Sequence, residues 1–200
     1  STRRGISGNG KPWTMQMQWP YGYIKRTSGG DEEHIDCYLG PVPASEIVFV
    51  TGRDAFLIRS NSRVEAQGTA GALLLSGLRI VTGAVLSVFS PGESRSVRTG
   101  TATIGIRGTA VYVEAEEART YVCTCYGEAE IISAMDPAAR ETVRTMHHEQ
   151  PRYVMGAGAP QMLMGAPVIN HTDAELVLLE SLGGRRPPFL DRPDYQPGRY

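Results

Sequence analysis

A mainly β fold, a β-roll or sandwich of short strands with one C-terminal α-helix, is what three features of this sequence predict. From residue 47 to residue 155, Val/Ile/Leu/Ala runs about one strand long alternate with Gly, Ser-Pro-Gly or Asn-Ser breaks. Glycine is frequent, 23 of 200 residues, which suits a chain of many turns. A capping box, Thr172-Asp173-Ala174-Glu175, stands near the end and opens a leucine-rich stretch. The first 46 residues are rich in Gly, Pro, Trp and Tyr and poor in aliphatics, so they read as an irregular N-terminal segment.

The elements follow in order. Ile47–Val50, Ala55–Arg59, Ala72–Leu75, Leu78–Val81, Ala84–Phe89 and Thr101–Ile106 read as strands. Ala110–Glu114, where valines flank Tyr112, and Arg119–Cys125 continue the series. Residues 71–89 are the most apolar part of the chain. Arg79 at their centre and three glycines argue for two buried strands over a membrane-spanning helix. Gly105 and Gly108 bracket Ile106-Arg107, where a bulge would let a strand turn a corner, with Arg107 paired to Glu114 or Glu116. Asp136-Pro137 could start a short helix, but the β-branched Thr142, Val143 and Thr145 favour a hairpin turn at Asp136–Arg140. After a Gly/Met/Pro connector at 156–171 comes the helix. Leu176, Leu179 and Leu182 share one face, Gly183-Gly184 ends it, and Pro187-Pro188 begins a Pro-rich tail.

Composition narrows function. Twenty Lys+Arg against 21 Asp+Glu leave a net charge of −1, so the electrostatic footprint of a nucleic-acid binder is missing. Three cysteines, Cys37, Cys123 and Cys125, are too few and too odd for a disulfide framework. They leave free thiols, a metal site or an intermolecular bridge. No charged-then-apolar segment opens the chain, so no signal peptide is visible.

Two clusters carry candidate chemistry. Asp31, Glu33 and Asp36 follow Gly29-Gly30, and three carboxylates so spaced can converge on Mg²⁺. Tyr21, Tyr23 and Lys25 just upstream can hold phosphate oxygens by hydroxyl and charge. The bland reading of the same acids is a solvated turn. Cys123 and Cys125, two apart on a strand, face the same side and suit a soft metal, Zn²⁺ or Cu⁺. A turn at Asp136–Arg140 would bring His147 or His148 back towards them, and His171 could add a fourth ligand. The bland reading here is two buried thiols acting as small hydrophobes.

Two family resemblances overlie these readings. YGYIKRTSGGDEEHIDCYLGP, with GNGKPWTMQMQWPYGYIKRT ahead of it, resembles the inorganic pyrophosphatase-like domain of phage and prophage proteins over about residues 5–50. That family's D-x-D-x-x-D metal motif falls on Asp31, Glu33 and Asp36, with Glu in place of the usual second Asp. The resemblance implies Mg²⁺-assisted attack of water on a diphosphate, with Tyr21, Tyr23 and Lys25 on phosphate. The further acids and lysines such an enzyme needs are not evident downstream. From about residue 48 to 189 the chain resembles the FecR domain family, most specifically in TATIGIRGTAVYV (Thr101–Val113). RTYVCTCYGEAEI, HHEQPRYV and VINHTDAELVLLESLGGRRPPF carry the same resemblance.

The FecR resemblance implies an all-β module of the bacterial periplasm or envelope. Its role would be non-catalytic binding, signalling or scaffolding towards an envelope protein or small ligand, with no cofactor. The missing signal peptide leaves a cytoplasmic location open. The two patterns meet at Val48-Phe49-Val50, as in a chimera. The expected divisions are therefore a partial segment at 1–47, a β domain at 48–155, and a connector, helix and tail at 156–200.

Overall fold

The computed structural model describes residues 2–6, 11–16, 21–23, 36–38, 47–51, 53–67, 76–92 and 94–198. Four short strands come first, β1 (Thr2–Ile6), β2 (Pro12–Gln16), β3 (Tyr21–Tyr23) and β4 (Asp36–Tyr38). They form two separate antiparallel pairs, β1 with β2 and β3 with β4. The remaining ten strands share one sheet. They are β5 (Ile47–Thr51), β6 (Asp54–Ile58), β7 (Arg63–Gln67), β8 (Gly77–Val88), β9 (Ser94–Arg98), β10 (Ala102–Ala115), β11 (Arg119–Ser133), β12 (Arg140–Thr145), β13 (Arg152–Met155) and β14 (Leu163–Gly165). Helix α1 (Asp173–Leu182) and a 3₁₀ turn at Pro188–Asp191 complete a mainly β architecture. Among the described residues no helix is long and apolar enough to cross a membrane. The predicted strand at Ala72–Leu75 lies outside the described residues.

Where the sequence suggests pairs of short strands, the chain forms single long bent ones. Leu78–Val81 and Ala84–Phe89 fall on β8; Thr101–Ile106 and Ala110–Glu114 fall on β10. Each long strand changes neighbour at its bend. The first half of β10 pairs with β9 and the second with β8. The first half of β11 pairs with β13 and the second with β12. Because β9 also runs parallel beside the start of β8, the sheet rolls back on itself.

The bend has a residue-level cause. Register slips on both sides of Ala110 where β10 meets β11, and an inserted residue reverses the alternation of side chains. In β10 the inward residues are Ala102, Ile104 and Ile106 before the bend, then Val111, Val113 and Ala115. In β8 they are Leu78 and Ile80, then Val85. The inner face therefore stays inner around the corner. A strand whose alternation restarts looks like two strands in one dimension.

Gly108 makes the corner possible, with φ of 58°, and a Cβ there would sit 2.9 Å from Cα of Pro91. A β-branched residue is disfavoured in that left-handed region, and the facing atom is backbone. Gly108→Val is expected to cost about 1–3 kcal/mol. For a chain of this size the melting temperature should fall by about 2–4 °C per kcal/mol. A variant that melts with the parent would remove this role. Arg107 beside it is exposed. Glu114 takes Tyr112 and Asn170, and Glu116 takes Arg119, so the expected Arg107 pairings are replaced by nearer donors.

The sheet buries both faces. The inner face holds the aliphatic roll. The outer face holds Leu57, Leu86, Val88, Tyr112, Tyr121, Cys123, Cys125 and Tyr126, under Leu176, Leu179 and Phe189. Leu182, expected on the same helix face as Leu176 and Leu179, is 46% exposed because the helix ends there; Asp173 and Glu180 join the buried face. Glu180 is held inside by the Tyr126 hydroxyl and by Nε of Arg185 at 2.5 Å.

The predicted capping box is present. Thr172 Oγ1 accepts the Glu175 amide, and Glu175 Oε2 accepts the Thr172 amide at 2.8 Å. Arg59 Nη1 donates to Glu175 Oε1 at 2.8 Å. Burial alone would raise the Glu175 carboxyl, but Arg59 and the Thr172 amide hold it below the usual range. With the folded value below the unfolded one, this contribution is present above about pH 4.3 and is lost as the pH falls through the folded value. Glu175→Gln should therefore flatten the acid limb of a stability profile between about pH 6 and pH 3. An unchanged limb would mean that other carboxylates dominate it.

Candidate functional site

The outer face of β11 starts the site. Extended backbone puts Tyr121, Cys123 and Cys125 on one side, and both thiols are fully buried and free of disulfide. The β11–β12 hairpin turns at residues 134–139, where the Ala139 amide bonds the Asp136 carbonyl. β12 runs back along β11 and ends at Thr145. His148 then adopts φ of 61° and donates its amide to the Cys125 carbonyl at 2.9 Å, which drives its ring inward. The third contributor is the segment before α1. Tyr121 donates its hydroxyl to the Pro167 carbonyl at 2.9 Å, and Arg59 Nη2 donates to the Asn170 carbonyl at 2.6 Å. Asn170 takes a left-handed φ of 58° and donates to Glu114, leaving His171 stacked on Tyr112 with centroids 4.6 Å apart.

Four side chains thus converge. The ligand atoms of Cys123, Cys125, His148 and His171 lie within 4.8 Å of one another, all buried. Cys123 Sγ is 3.3 Å from His148 Nδ1, which is 3.1 Å from His171 Nε2. The outer nitrogen of each ring is anchored, His171 Nδ1 on the Ile169 carbonyl at 2.6 Å and His148 Nε2 on Asp173 Oδ1 at 3.2 Å. His147 Nε2 reaches the same Asp173 oxygen at 2.9 Å, with its ring stacked on Phe189. Tyr195 lies close to the same carboxylate, and burial first and then Asp173 raise its hydroxyl pKa.

The electrostatics distinguish the two thiols. Burial pushes both up. Hydrogen bonds from Cys125, His148 and His171 nevertheless hold Cys123 well below the ordinary thiol value. Cys125 goes well above it, from burial and from Cys123. Burial would lower His148, but Cys123 and Asp173 raise it. The core of the site is a thiol held well below its ordinary pKa beside an imidazole that a carboxylate orients. Soft N/S donors of this kind suit Zn²⁺ or Cu⁺.

Of the residues expected from sequence, Cys123, Cys125, His148 and His171 come together, whereas His147 turns to Asp173. Asp173 escaped the sequence reading, since an acid in a first helical turn is normally solvated; at 3% exposure it is buried instead. Of the acidic cluster, Lys25, Asp31 and Glu33 lie outside the described residues. Tyr21, Tyr23 and Asp36 are described in their backbone, with Tyr21 opposite Tyr38 and Tyr23 opposite Asp36.

Residues 1–55 match a family model described as Inorganic Pyrophosphatase, a match that runs through β5 into the start of β6. No curated protein matches the chain. Two solved structures from Parabacteroides distasonis, described as a "putative anti-sigma factor", are similar to it, each at 12% identity and a TM-score of 0.41. One covers 72% of this chain and 59% of its own; the other covers 80% and 72%. The chain thus spans under two thirds of the first.

Proposed function

We propose that the chain is a FecR-like, non-catalytic binding or scaffold module of the bacterial envelope. The observation that carries this reading is the closure of the buried cluster around Cys123 and His148. A cysteine sulfur, an imidazole and a carboxylate stand in the order of a nucleophile, a base and an orienting acid. Yet Cys123 is 0% exposed and His148 1%, under α1 and the 3₁₀ turn. No substrate atom can approach a nucleophile so covered, so the cluster serves the fold. The FecR resemblance of about residues 48–189 supports the family and the envelope location.

The module reading predicts that residues 46–200 alone unfold cooperatively, because the ten-stranded sheet starts at Ile47 and both its cores lie downstream. A broad, non-cooperative melt of that fragment would show the N-terminal segment to be integral.

A second reading is a Mg²⁺-dependent phosphoanhydride hydrolase, favoured by the family match at residues 1–55. Asp31, Glu33 and Asp36 would hold the metal, and Tyr21, Tyr23 and Lys25 the phosphates. The β3–β4 ladder pairs Tyr23 with Asp36, which supports a reading in which the two would act at one site. A phosphate-release assay on pyrophosphate with Mg²⁺ separates the readings. The module reading expects no turnover above buffer. Turnover that disappears in Asp36→Asn would overturn it.

A further inference from the structure

We infer that Cys123, Cys125, His148 and His171 form a closed tetrahedral Zn²⁺ site that ties the segment before α1 to the sheet, with Asp173 and the Ile169 carbonyl as outer partners. The inference stands apart from either family reading.

Proton bookkeeping leads to it. A carbonyl oxygen only accepts, so His171 Nδ1 carries the hydrogen in its 2.6 Å contact with Ile169, and Nε2 presents a lone pair inward. By the same argument the Asp173 carboxylate fixes the hydrogen on His148 Nε2, and Nδ1 presents a lone pair inward. The two lone pairs face each other across 3.1 Å. Cys123 Sγ lies 3.3 Å from one of these nitrogens, His148 Nδ1. A cation between them would be held by both nitrogens, with the two sulfurs within reach of the same point.

Geometry favours the metal. In a tetrahedral site with Zn–N near 2.05 Å and Zn–S near 2.3 Å, neighbouring donors lie about 3.3–3.8 Å apart. The two nitrogen-centred contacts, 3.1 and 3.3 Å, sit close to that edge, and all four donors lie within 4.8 Å. Two sulfurs and two imidazoles make a donor set that Zn²⁺ takes in closed structural sites. Carboxylate and carbonyl partners on the outer imidazole nitrogens are the usual support of zinc-bound histidines. The donors come from β11, from the loop after β12 and from the strap before α1, so one ion joins three segments.

The neighbouring group His147, His148 and Asp173 is the rival site, since its ligand atoms are also within 4.8 Å of one another. It shares His148 but uses no sulfur, which makes the two distinguishable.

The test uses the full chain, purified reduced. Metal analysis should find one Zn²⁺ per chain after zinc addition and dialysis, and chelation should lower the melting temperature. With free Zn²⁺ at about a hundred times its dissociation constant, the unfolded population falls about a hundredfold, and thiol labelling through unfolding should slow equally. Co²⁺ in place of zinc should show a thiolate-to-metal charge-transfer band. That band should weaken in Cys125→Ser, vanish when Cys123→Ser is added, and persist in His147→Gln. Zinc that changes neither melting nor labelling would overturn the site without recourse to any variant. So would metal binding that survives Cys125→Ser and is lost in His147→Gln.

Discussion

Asp54→Ala is expected to destabilise the fold by about 3–5 kcal/mol, the cost of removing one member of a buried ion pair. Asp54 opens β6 and is 1% exposed. Its Oδ1 accepts the amide and the hydroxyl of Ser90, each at 2.7 Å, and its Oδ2 accepts Nε of Arg95 at 3.1 Å. Arg95 is buried too, on β9. One carboxylate thus joins β6, the turn after β8, and β9. Alanine removes three acceptor contacts, one of them to a buried guanidinium. Asp54→Asn keeps the volume and can keep the Ser90 contacts, so its loss should be smaller. Urea unfolding of the three proteins measures the difference. An alanine variant within about 1 kcal/mol of the parent would show that water reaches Arg95.

Phe189→Ala should cost a similar amount, about 3–5 kcal/mol, as for other fully buried aromatic residues. Phe189 stands in the 3₁₀ turn of the Pro-rich tail and is fully buried. Its ring stacks on His147 with centroids 4.5 Å apart, and Tyr126 and Tyr195 meet it edge-on or tilted. It roofs the same outer face that carries the thiols. The variant should therefore show a second effect, faster labelling of Cys123 and Cys125 under native conditions. Lost stability with unchanged labelling would place the roof of the thiols on α1 alone.

The shared face of Cys123 and Cys125 was legible because strand alternation has a period of two, and the Asp136-Pro137 turn foretold which segment returns. The choice between adjacent histidines was not. It rests on the left-handed φ of His148, stabilised by a hydrogen bond from its amide to the Cys125 carbonyl on β11. His171 could be offered as a ligand but not placed. Its position depends on Tyr121, Arg59 and Glu114, between 50 and 112 residues away, each holding one point of the strap.

By itself the sequence determined the strand-rich middle, the capped helix and the corner glycine Gly108, because these depend on alternation, capping and backbone freedom within a few residues; Gly105, expected to share the corner, sits in regular pairing instead. It also determined which residues carry soft donors. Tertiary structure decided the rest. Pairing across the bend joined short runs into β8 and β10, since an alternation that reverses at a bulge has no signature in one dimension. Burial turned Asp54, Asp173 and Phe189 from turn, cap and tail residues into interior ones. Their surroundings come from segments distant in the chain, and only the packed fold sets the dielectric and the partners that each side chain meets.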